Sequence, residues 1–262
     1  EATETDNYSK FGYKSNRTGL SLGTNFEYLN DLFLGLGNSN YYEKIETNST
    51  ASKRQQDQEG DYWDSFINVN FNYDKRNQKF QTTEGFRSLY FVDFPLLTET
   101  GTLTNAYNYK FFTELYENNV STFGLYLKSA TSLTNDDVKL SERVFIPSSK
   151  LRGFERGKIG PKDGDDFIGG NYGASINFSS TLPRILENSQ DLDLLIFADV
   201  ANVWGVDYFK GDDEGSEIRS SIGIALDWLT PVGPLSFSLA EPISKSSTDV
   251  TESFRFNLGT TF

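Results

Sequence analysis

The last stretch of the chain, Phe254-Arg-Phe-Asn-Leu-Gly-Thr-Thr-Phe262, decides the fold class. In a β-strand, successive side chains point to opposite faces of the sheet, so every second residue shares a face. The apolar face of this predicted strand carries Phe254, Phe256, Leu258, Thr260 and Phe262. Gly259 falls on the other face, among polar neighbours. An apolar face that ends in a C-terminal aromatic residue is typical of a strand with lipid outside and water inside.

The same alternation recurs along the chain and predicts about twelve strands. The predicted spans are 1–8, 18–28, 32–46, 61–75, 80–94, 105–117, 120–131, 167–182, 191–203, 217–230, 234–243 and 253–262. In the fourth span, Ile67, Val69 and Phe71 alternate with Asn68 and Asn70. The asparagine face is too polar for the core of a soluble protein, so it predicts a water-filled interior with apolar residues facing outward.

The connections alternate between short turns and longer polar loops, of which 132–166 is the longest. Short periplasmic turns and long outer loops are typical of outer-membrane barrels. A large soluble β-sandwich is the alternative architecture, but it explains neither the asparagine face nor the difference in loop length. We therefore predict an all-β fold, an antiparallel up-and-down transmembrane β-barrel, which forms a single domain over residues 1–262.

The composition is compatible with a membrane barrel although it resembles that of a soluble protein. The net charge is −13, the mean hydropathy is −0.49, and no run approaches the roughly 18 apolar residues of a membrane helix. A barrel needs no such run, because only alternate residues of each strand face lipid. Aromatic residues make up 15% of the chain, which suits aromatic girdles at two membrane interfaces. The acidic balance argues against nucleic acid as a partner.

Several kinds of chemistry are disfavoured by the residues that the chain lacks. It contains no Cys and no His, which removes thiol nucleophiles, thiolate metal sites and Ser-His-Asp catalysis. The acidic runs 163–166 and 211–217 are typical of solvated loops, and their spacing matches no EF-hand. The sequence therefore predicts no enzyme activity, no catalytic residue, no metal site and no cofactor. Because it opens on Glu1 without a signal segment, we expect a mature or excised piece.

The loop 132–166 is the best candidate for a functional element. A loop of more than about 15 residues without structure of its own is usually functional or disordered. It contains Leu151-Arg-Gly-Phe154, which combines a charge, a backbone bend and an aromatic anchor. If Arg152 is buried it needs a carboxylate partner. Asp199 is the best candidate, because it lies mid-strand on the face opposite Ile196 and Ala198 and so points into the lumen.

Leu151-Arg-Gly-Phe154, followed by Ile159-Gly-Pro161, resembles the VRGF and IGP loop of the BamA-type outer-membrane protein assembly factors. Further resemblances follow in family order: the hairpin Asn72-Tyr-Asp-Lys-Arg-Asn77 with Thr83-Glu-Gly-Phe86, the strand start Gly169-Gly-Asn171, the strand Phe197-Ala-Asp-Val-Ala-Asn-Val-Trp204, and Gly223-Ile-Ala-Leu-Asp-Trp228 with Pro231-Val-Gly-Pro-Leu235. The terminal strand is similar to the family's β-signal. The resemblance covers about 72–262 and fits the C-terminal barrel portion of such a protein.

The resemblance implies roles for particular residues. Arg152 is expected to fold into the lumen with its loop and to pair with Asp199, either bracing the loop or acting directly on substrate. The implied loop motif comprises Leu151, Arg152, Gly153 and Phe154. The implied seam and β-signal residues are Phe254, Phe256, Leu258, Gly259 and Phe262. Asn177 lies near the position where the family has a second lumenal carboxylate, so that second contact to Arg152 is not implied here.

The resemblance also implies a function and partners. The family folds and inserts outer-membrane β-barrel proteins in the bacterial outer membrane, without nucleotide or metal. The implied partners are the lipid bilayer, unfolded outer-membrane proteins and, in the full-length family, accessory assembly lipoproteins whose docking region is absent from this sequence. Two alternatives stay open, a polypeptide-translocating pore of the same superfamily and a passive or engineered closed pore of twelve strands.

The family barrel is implied to have sixteen strands preceded by POTRA domains, whereas about twelve strands and no POTRA segment are predicted here. Either the chain is a portion of a larger barrel, or residues 1–8 pair with 253–262 and close a smaller one. For a chain that stands alone we expect closure, because unpaired strand edges are not tolerated in lipid. A narrower lumen then displaces the loop 132–166. We expect little or no assembly activity from this excised form, since the first strand and the POTRA domains that the resemblance implies are both lacking.

Overall fold

The structure is a computed structural model that describes residues 2–7, 11–79, 81–116, 119–134, 136–182, 191–207, 217–231 and 233–258. Gly259, Thr260 and Phe262 of the predicted β-signal lie outside the described residues, as does most of the acidic run 211–217.

Twelve strands form one antiparallel sheet in which each strand pairs with the next along the chain, except that β7 pairs with β10. The strands of this sheet are β1 (Ala2–Asn7), β2 (Tyr13–Leu29), β3 (Leu32–Thr47), β4 (Gly60–Asp74), β5 (Gly85–Thr98), β6 (Thr102–Thr113), β7 (Ser121–Ser132), β10 (Tyr172–Thr181), β11 (Leu192–Trp204), β12 (Arg219–Thr230), β13 (Gly233–Ser244) and β14 (Phe254–Leu258). A separate small hairpin is made by β8 (Lys162–Asp163) and β9 (Asp166–Phe167).

Helical structure is limited to the helix α1 (Lys53–Gln56) and a 3₁₀-helix at Leu140–Glu142. Ser52 caps α1 by accepting a hydrogen bond from the backbone of Gln55. In the part of the chain that the structure describes, no helix is both long and apolar enough to cross a membrane.

The predicted all-β, up-and-down architecture is confirmed, and a strand is found at each of the twelve predicted places. Two predicted strand starts were too early. Strand β5 begins at Gly85 rather than residue 80, because the turn before it includes Gln81 with a φ of 49°. Strand β10 begins at Tyr172 rather than residue 167, because Phe167 belongs to the β8–β9 hairpin and Gly169 has a φ of 70°. Strand β2 instead begins earlier than predicted, at Tyr13.

The two faces of the sheet differ as the alternation predicts. Large apolar side chains are exposed on the outer face, such as Leu22, Ile176 and Ile222, and their exposure suits lipid. On the inner face of β4, Asn68 donates a hydrogen bond to Asp93 and accepts one from Ser39 Oγ at 2.6 Å. This part of the inner wall is therefore polar and internally hydrogen-bonded.

The sheet curls around the segment 136–171, which connects β7 to β10 and which we call the lumenal loop. Its residues form hydrogen bonds or ion pairs with strands on both sides of the sheet, from β2 to β14. A single segment can reach strands so far apart in the sheet order only if the sheet forms a barrel wall around it. The loop predicted at 132–166 thus lies inside the barrel. Its displacement was expected only for a closed, narrower lumen, and that condition is not met among the described residues.

The two ends of the sheet, β1 and β14, are not paired with each other among the described residues. Strand β1 pairs only with residues 13–18 of β2, and β14 pairs only with residues 235–239 of β13. The expected closure of 1–8 on 253–262 is therefore not found in the described ranges. Residues 20–29 of β2 pair only with β3 there.

A charge on the outer face should destabilise the barrel more than the same charge in the lumen. Val69 faces outward at the middle of β4, directly between Leu36 and Val92 of the neighbouring strands, and Asn70 faces inward beside it. We predict that Val69→Lys lowers the free energy of unfolding in lipid vesicles by about 2–4 kcal/mol, because the ammonium group lies in hydrocarbon.

Asn70→Lys is the matched control, and we expect it to cost clearly less in the same guanidinium titration. Equal costs for the two substitutions would contradict the assignment of the two faces.

Candidate functional site

The candidate site is built around Arg152, which the lumenal loop holds against β11. Arg152 Nε lies 2.7 Å from Asp199 Oδ2, and Arg152 Nη2 lies 2.8 Å from Asp199 Oδ1. The backbone N–H of Arg152 donates a third hydrogen bond to Asp199 Oδ2 at 3.1 Å. The guanidinium carbon lies 3.5 Å from the centroid of the Phe197 ring, two residues along the same strand. This bidentate, stacked arrangement uses the planar geometry of arginine, which lysine cannot reproduce.

Asn177 completes the surroundings of Asp199. Its side-chain amide donates to Asp199 Oδ1 at 2.8 Å and to the carbonyl of Lys150 at 2.8 Å. Asn177 and Asp199 are directly opposite each other on β10 and β11. The neutral amide therefore does not bind Arg152, but it orients the carboxylate and holds the loop by a carbonyl instead.

The rest of the loop motif packs as a small apolar core inside the lumen. Leu151 and Phe154 are buried, and they belong to a cluster with Tyr126, Ile146, Ile159, Ala201 and Val203. Ser221 Oγ of β12 donates to the carbonyl of Arg152 at 2.6 Å. The interior was predicted to be water-filled, but beside β7, β10 and β11 it is filled by this cluster.

Gly153 is required by the backbone at this point. It has a φ of 88°, in the left-handed region that favours glycine. A Cβ atom added there would lie 3.2 Å from the Cβ atoms of both Ala240 and Ser221. The bend therefore places the loop in close contact with β12 and β13.

A second group of charges anchors the start of the lumenal loop to the opposite wall. Lys139 is buried, and its ammonium group binds Asp64 of β4 and lies 3.0 Å from Glu43 of β3. Burial alone would lower the pKa of Lys139, but the nearby carboxylates of Glu142, Glu43 and Asp64 outweigh it and raise the pKa. Burial also raises the pKa of Glu142, with Lys139 opposing it. Lys139 is thus held in its charged form.

The described seam residues lie where the alternation places them. Phe254, Phe256 and Leu258 are exposed on the outer face of β14. The ring of Phe256 lies 5.0 Å from that of Phe237 on β13, its direct cross-strand partner. Such aromatic pairs stabilise strand pairing, so the outer face contributes to holding β14 on the sheet.

The sequence analysis did not identify Lys139, Arg219 or Arg255 as important. Arg219 is buried, and its Nε lies 3.0 Å from Asp249 Oδ2 in the loop before β14. Arg255 reaches the lumenal loop from β14. Arg219 and Arg255 could have been found in the sequence as charged residues on the lumen-facing side of a predicted strand. Lys139 lies in a loop, where no such periodicity exists.

Among the described residues, no group of three or more Asp or Glu side chains is placed to hold a metal ion. What the geometry does provide is a loop fixed inside a membrane barrel by ion pairs near its start, at Lys139, and near its middle, at Arg152. Together, fold and site define a transmembrane β-barrel of the outer-membrane type with an arginine-anchored internal loop.

The chain belongs to the Omp85 superfamily, since the family model of the Omp85 superfamily domain matches residues 1–262. It is 33% identical over 142 residues to the outer membrane protein assembly factor BamA of Neisseria meningitidis, a match that covers 43% of this chain and 17% of that protein. The chain spans 17% to 29% of the length of the curated relatives that it matches.

Solved structures share the fold. The crystal structure of BamA from Haemophilus ducreyi lacking POTRA domains 1–3 matches 93% of this chain and 54% of that chain, with a TM-score of 0.84 and 23% identity. CdiB from Acinetobacter baumannii matches 94% of this chain and 42% of that chain, with a TM-score of 0.59 and 12% identity. Family and fold together assign a BamA-type barrel of the bacterial outer membrane.

Removal of the Arg152 side chain should destabilise the barrel strongly. Asp199 is fully buried, so Arg152→Ala leaves an uncompensated buried charge, and we expect a loss of about 3–5 kcal/mol in the free energy of unfolding. Lys75→Ala is the control. It removes an ion pair to Asp31 whose side chains are 42% and 47% exposed, and it should cost less than about 1 kcal/mol. Similar losses for the two variants in a guanidinium titration would refute the structural role of Arg152.

The bend at Gly153 gives a second test. Gly153→Ala forces a side chain into a left-handed backbone and into contact with β12 and β13, and we expect a loss of about 2 kcal/mol or more. Gly164→Ala is the matched control, because Gly164 has a φ of 62° with nothing within 4 Å of an added Cβ. It should lose about 1–2 kcal/mol at most, from the backbone alone. If thermal unfolding shows equal losses, close packing at Gly153 is not the reason for glycine.

Proposed function

We propose that this protein folds and inserts outer-membrane β-barrel proteins, by pairing an incoming strand with an unpaired strand edge of its own barrel. The proposal agrees with the name of the Neisseria meningitidis relative, an outer membrane protein assembly factor. It requires neither nucleotide nor metal, and no enzyme activity. We also propose that residues 1–262 act as one domain.

The observation that carries the proposal is that, among the described residues, the strands at the two ends of the sheet expose edges with one neighbour. Residues 20–29 of β2 and residues 254–258 of β14 each pair with only one neighbour in the described part of the chain. Both edges lie in the half of the barrel that contains the turn 30–31. Strand β2 ends at that turn, and Leu258 pairs with Leu235, which directly follows the short connection between β12 and β13 on the same side.

A free edge in this position favours the addition of a strand. Backbone N–H and C=O groups without partners are costly in the hydrocarbon region, and an incoming strand satisfies them by β-augmentation. An incoming strand that alternates apolar and polar residues also continues the outer lipid face. The apolar residues Leu20, Leu22 and Phe26 on β2 provide the face that it would extend.

The packing of the lumen supports assembly over transport. A translocating or passive pore needs an open path through the barrel. In this chain the lumenal loop is fixed in that path by the ion pairs of Lys139 and Arg152 and by the apolar cluster around Phe154. The proposed partners are therefore the lipid bilayer and unfolded outer-membrane proteins. Accessory assembly lipoproteins stay a prediction that only the family resemblance implies.

Site-directed crosslinking tests the proposal directly, because the chain has no Cys of its own. Thr24→Cys places a thiol on the free edge of β2, and Val69→Cys places one on β4. Thr24 and Val69 both lie opposite Leu36, so they share a height and a face, but β4 is paired on both sides. The probe is an unfolded outer-membrane β-barrel protein with a single cysteine in its last strand.

We expect a disulfide crosslink from Thr24→Cys several times stronger than from Val69→Cys, because only β2 offers an edge to the incoming strand. Equal crosslinking at the two positions would refute the proposal.

A further inference from the structure

Among the described residues, β14 has one neighbour in the sheet, since residues 254–258 pair with β13 and no second strand pairs with them in the described ranges. Its outer side chains face lipid, which gives no preference for one neighbouring strand over another. The inner face is therefore where additional contacts can fix its position.

The inward side chain of β14 that reaches the lumenal loop is Arg255. Its Nη1 donates to the carbonyl of Ser148 at 2.8 Å, and its Nη2 donates to the carbonyl of Phe154 at 2.6 Å. The same guanidinium binds Glu252 at 2.7 Å. Ser148 and Phe154 lie on either side of Arg152, so one planar cation spans the bend that carries the loop motif.

The backbone just before β14 pairs with the same part of the loop. Phe154 and Thr251 form an antiparallel β-bridge. Glu155 N–H donates to the carbonyl of Val250 at 2.9 Å, and Glu252 N–H donates to the carbonyl of Gly153 at 3.0 Å. Residues 153–158 and 250–252 thus form a short ladder inside the barrel. Arg255 continues it with a side chain.

The residue just before 250–252, Asp249, is anchored to β12 of the barrel wall. Asp249 accepts hydrogen bonds from Arg219 of β12 at 3.0–3.3 Å, and both side chains are fully buried. The start of β14 is therefore fixed between β12 and the lumenal loop, and a displacement of either changes its position. These hydrogen bonds involve charged groups, which makes them stronger than hydrogen bonds between neutral groups.

We infer that Arg255 and the 153–158 to 250–252 ladder couple the lumenal loop to β14, so that the loop and the terminal strand are released together. Arg255 is then a positioning residue for the free edge of the barrel. This coupling goes beyond the proposed assembly function. Only its consequence, that strand exchange at β14 requires movement of the Arg152 loop, rests on that function.

Hydrogen–deuterium exchange of the full chain in vesicles tests the coupling. Peptides that cover 254–258 and 148–158 report on the strand and the loop separately. In Arg255→Gln we expect hydrogen exchange in both segments to accelerate by about tenfold or more. The reason is that the loss of one hydrogen bond to a charged group shifts a local opening equilibrium by at least that factor. Arg255→Lys retains the charge but not the planar fork, and should give a smaller acceleration in both.

Two further variants separate coupling from local damage. Arg152→Ala removes contacts between the loop and β11, at Asp199 and Phe197, and we expect it to accelerate exchange in 254–258 as well. Arg76→Gln is the matched control, because Arg76 is as little exposed as Arg255, at 11% against 10%, and binds Asp74 at 2.7 Å far along the sheet. It should leave both segments as in the unmodified protein.

The inference is overturned if Arg255→Gln accelerates exchange in β14 alone, or if Arg152→Ala frees the loop while 254–258 stays protected. If Arg255→Gln does not fold, the graded response of Arg255→Lys decides in the same way. No substrate is present in the measurement, so its failure is distinguishable from failure of the crosslinking test of the proposed function.

Discussion

The buried ion pair between Arg152 and Asp199 is the interaction on which the interior of this barrel depends. An ion pair away from water is stable only when its geometry is good and its remaining hydrogen-bonding groups are satisfied. Here the carboxylate also accepts from the backbone of Arg152 and from Asn177, and the guanidinium stacks on Phe197. The wall supplies Asp199, Asn177 and Phe197 from two adjacent strands. The loop can therefore adopt its conformation only inside a wall already paired in this register.

The wall in turn depends on the loop. The chain carries a net charge of −13, and several of its acidic side chains point into the lumen. Glu43 and Asp64 are buried on β3 and β4, and Lys139 of the loop lies between them. Without the loop these carboxylates would face each other across neighbouring strands with less compensation. The loop therefore supplies cations to the buried carboxylates of the wall, as Lys139 does to Glu43 and Asp64 and Arg152 does to Asp199.

The periodicity of the sequence was sufficient to predict the strands and their faces. Ile67 and Asn68 could be assigned to opposite sides because a strand has a period of two, whatever its neighbours. Where glycine or an additional turn interrupts the period, the prediction was wrong, as at Gly85 and before Tyr172. The early part of β2 was missed because Lys14, Asn16 and Arg17 give no apolar face. A local pattern predicts which side of the sheet a residue faces, but not which distant residues its side chain contacts.

The same limit explains which parts of the site could be predicted. Asp199 could be predicted because it lies mid-strand on the face opposite Ile196 and Ala198, and because the family resemblance implies its pairing with Arg152. Arg255 has the same signal, but its partners are the carbonyls of Ser148 and Phe154, and every residue has a carbonyl. A hydrogen bond from a side chain to a backbone carbonyl therefore cannot be predicted from the residue type of the partner. The loop's conformation, which the Arg152 pair and Gly153 determine, had to be known before those carbonyls could be located.

Strand β14 combines the two environments of the barrel in alternate residues. Phe256 faces lipid and contacts Phe237, whereas Arg255 beside it binds the lumenal loop. Lipid contact is retained whichever strand becomes the neighbour, but the contact of Arg255 exists only with the loop in place. The outer residues can therefore keep the strand in the membrane while the inner one determines its position. A free edge that is fixed from within in this way can stay ordered without a second neighbouring strand, and it is released when the loop moves.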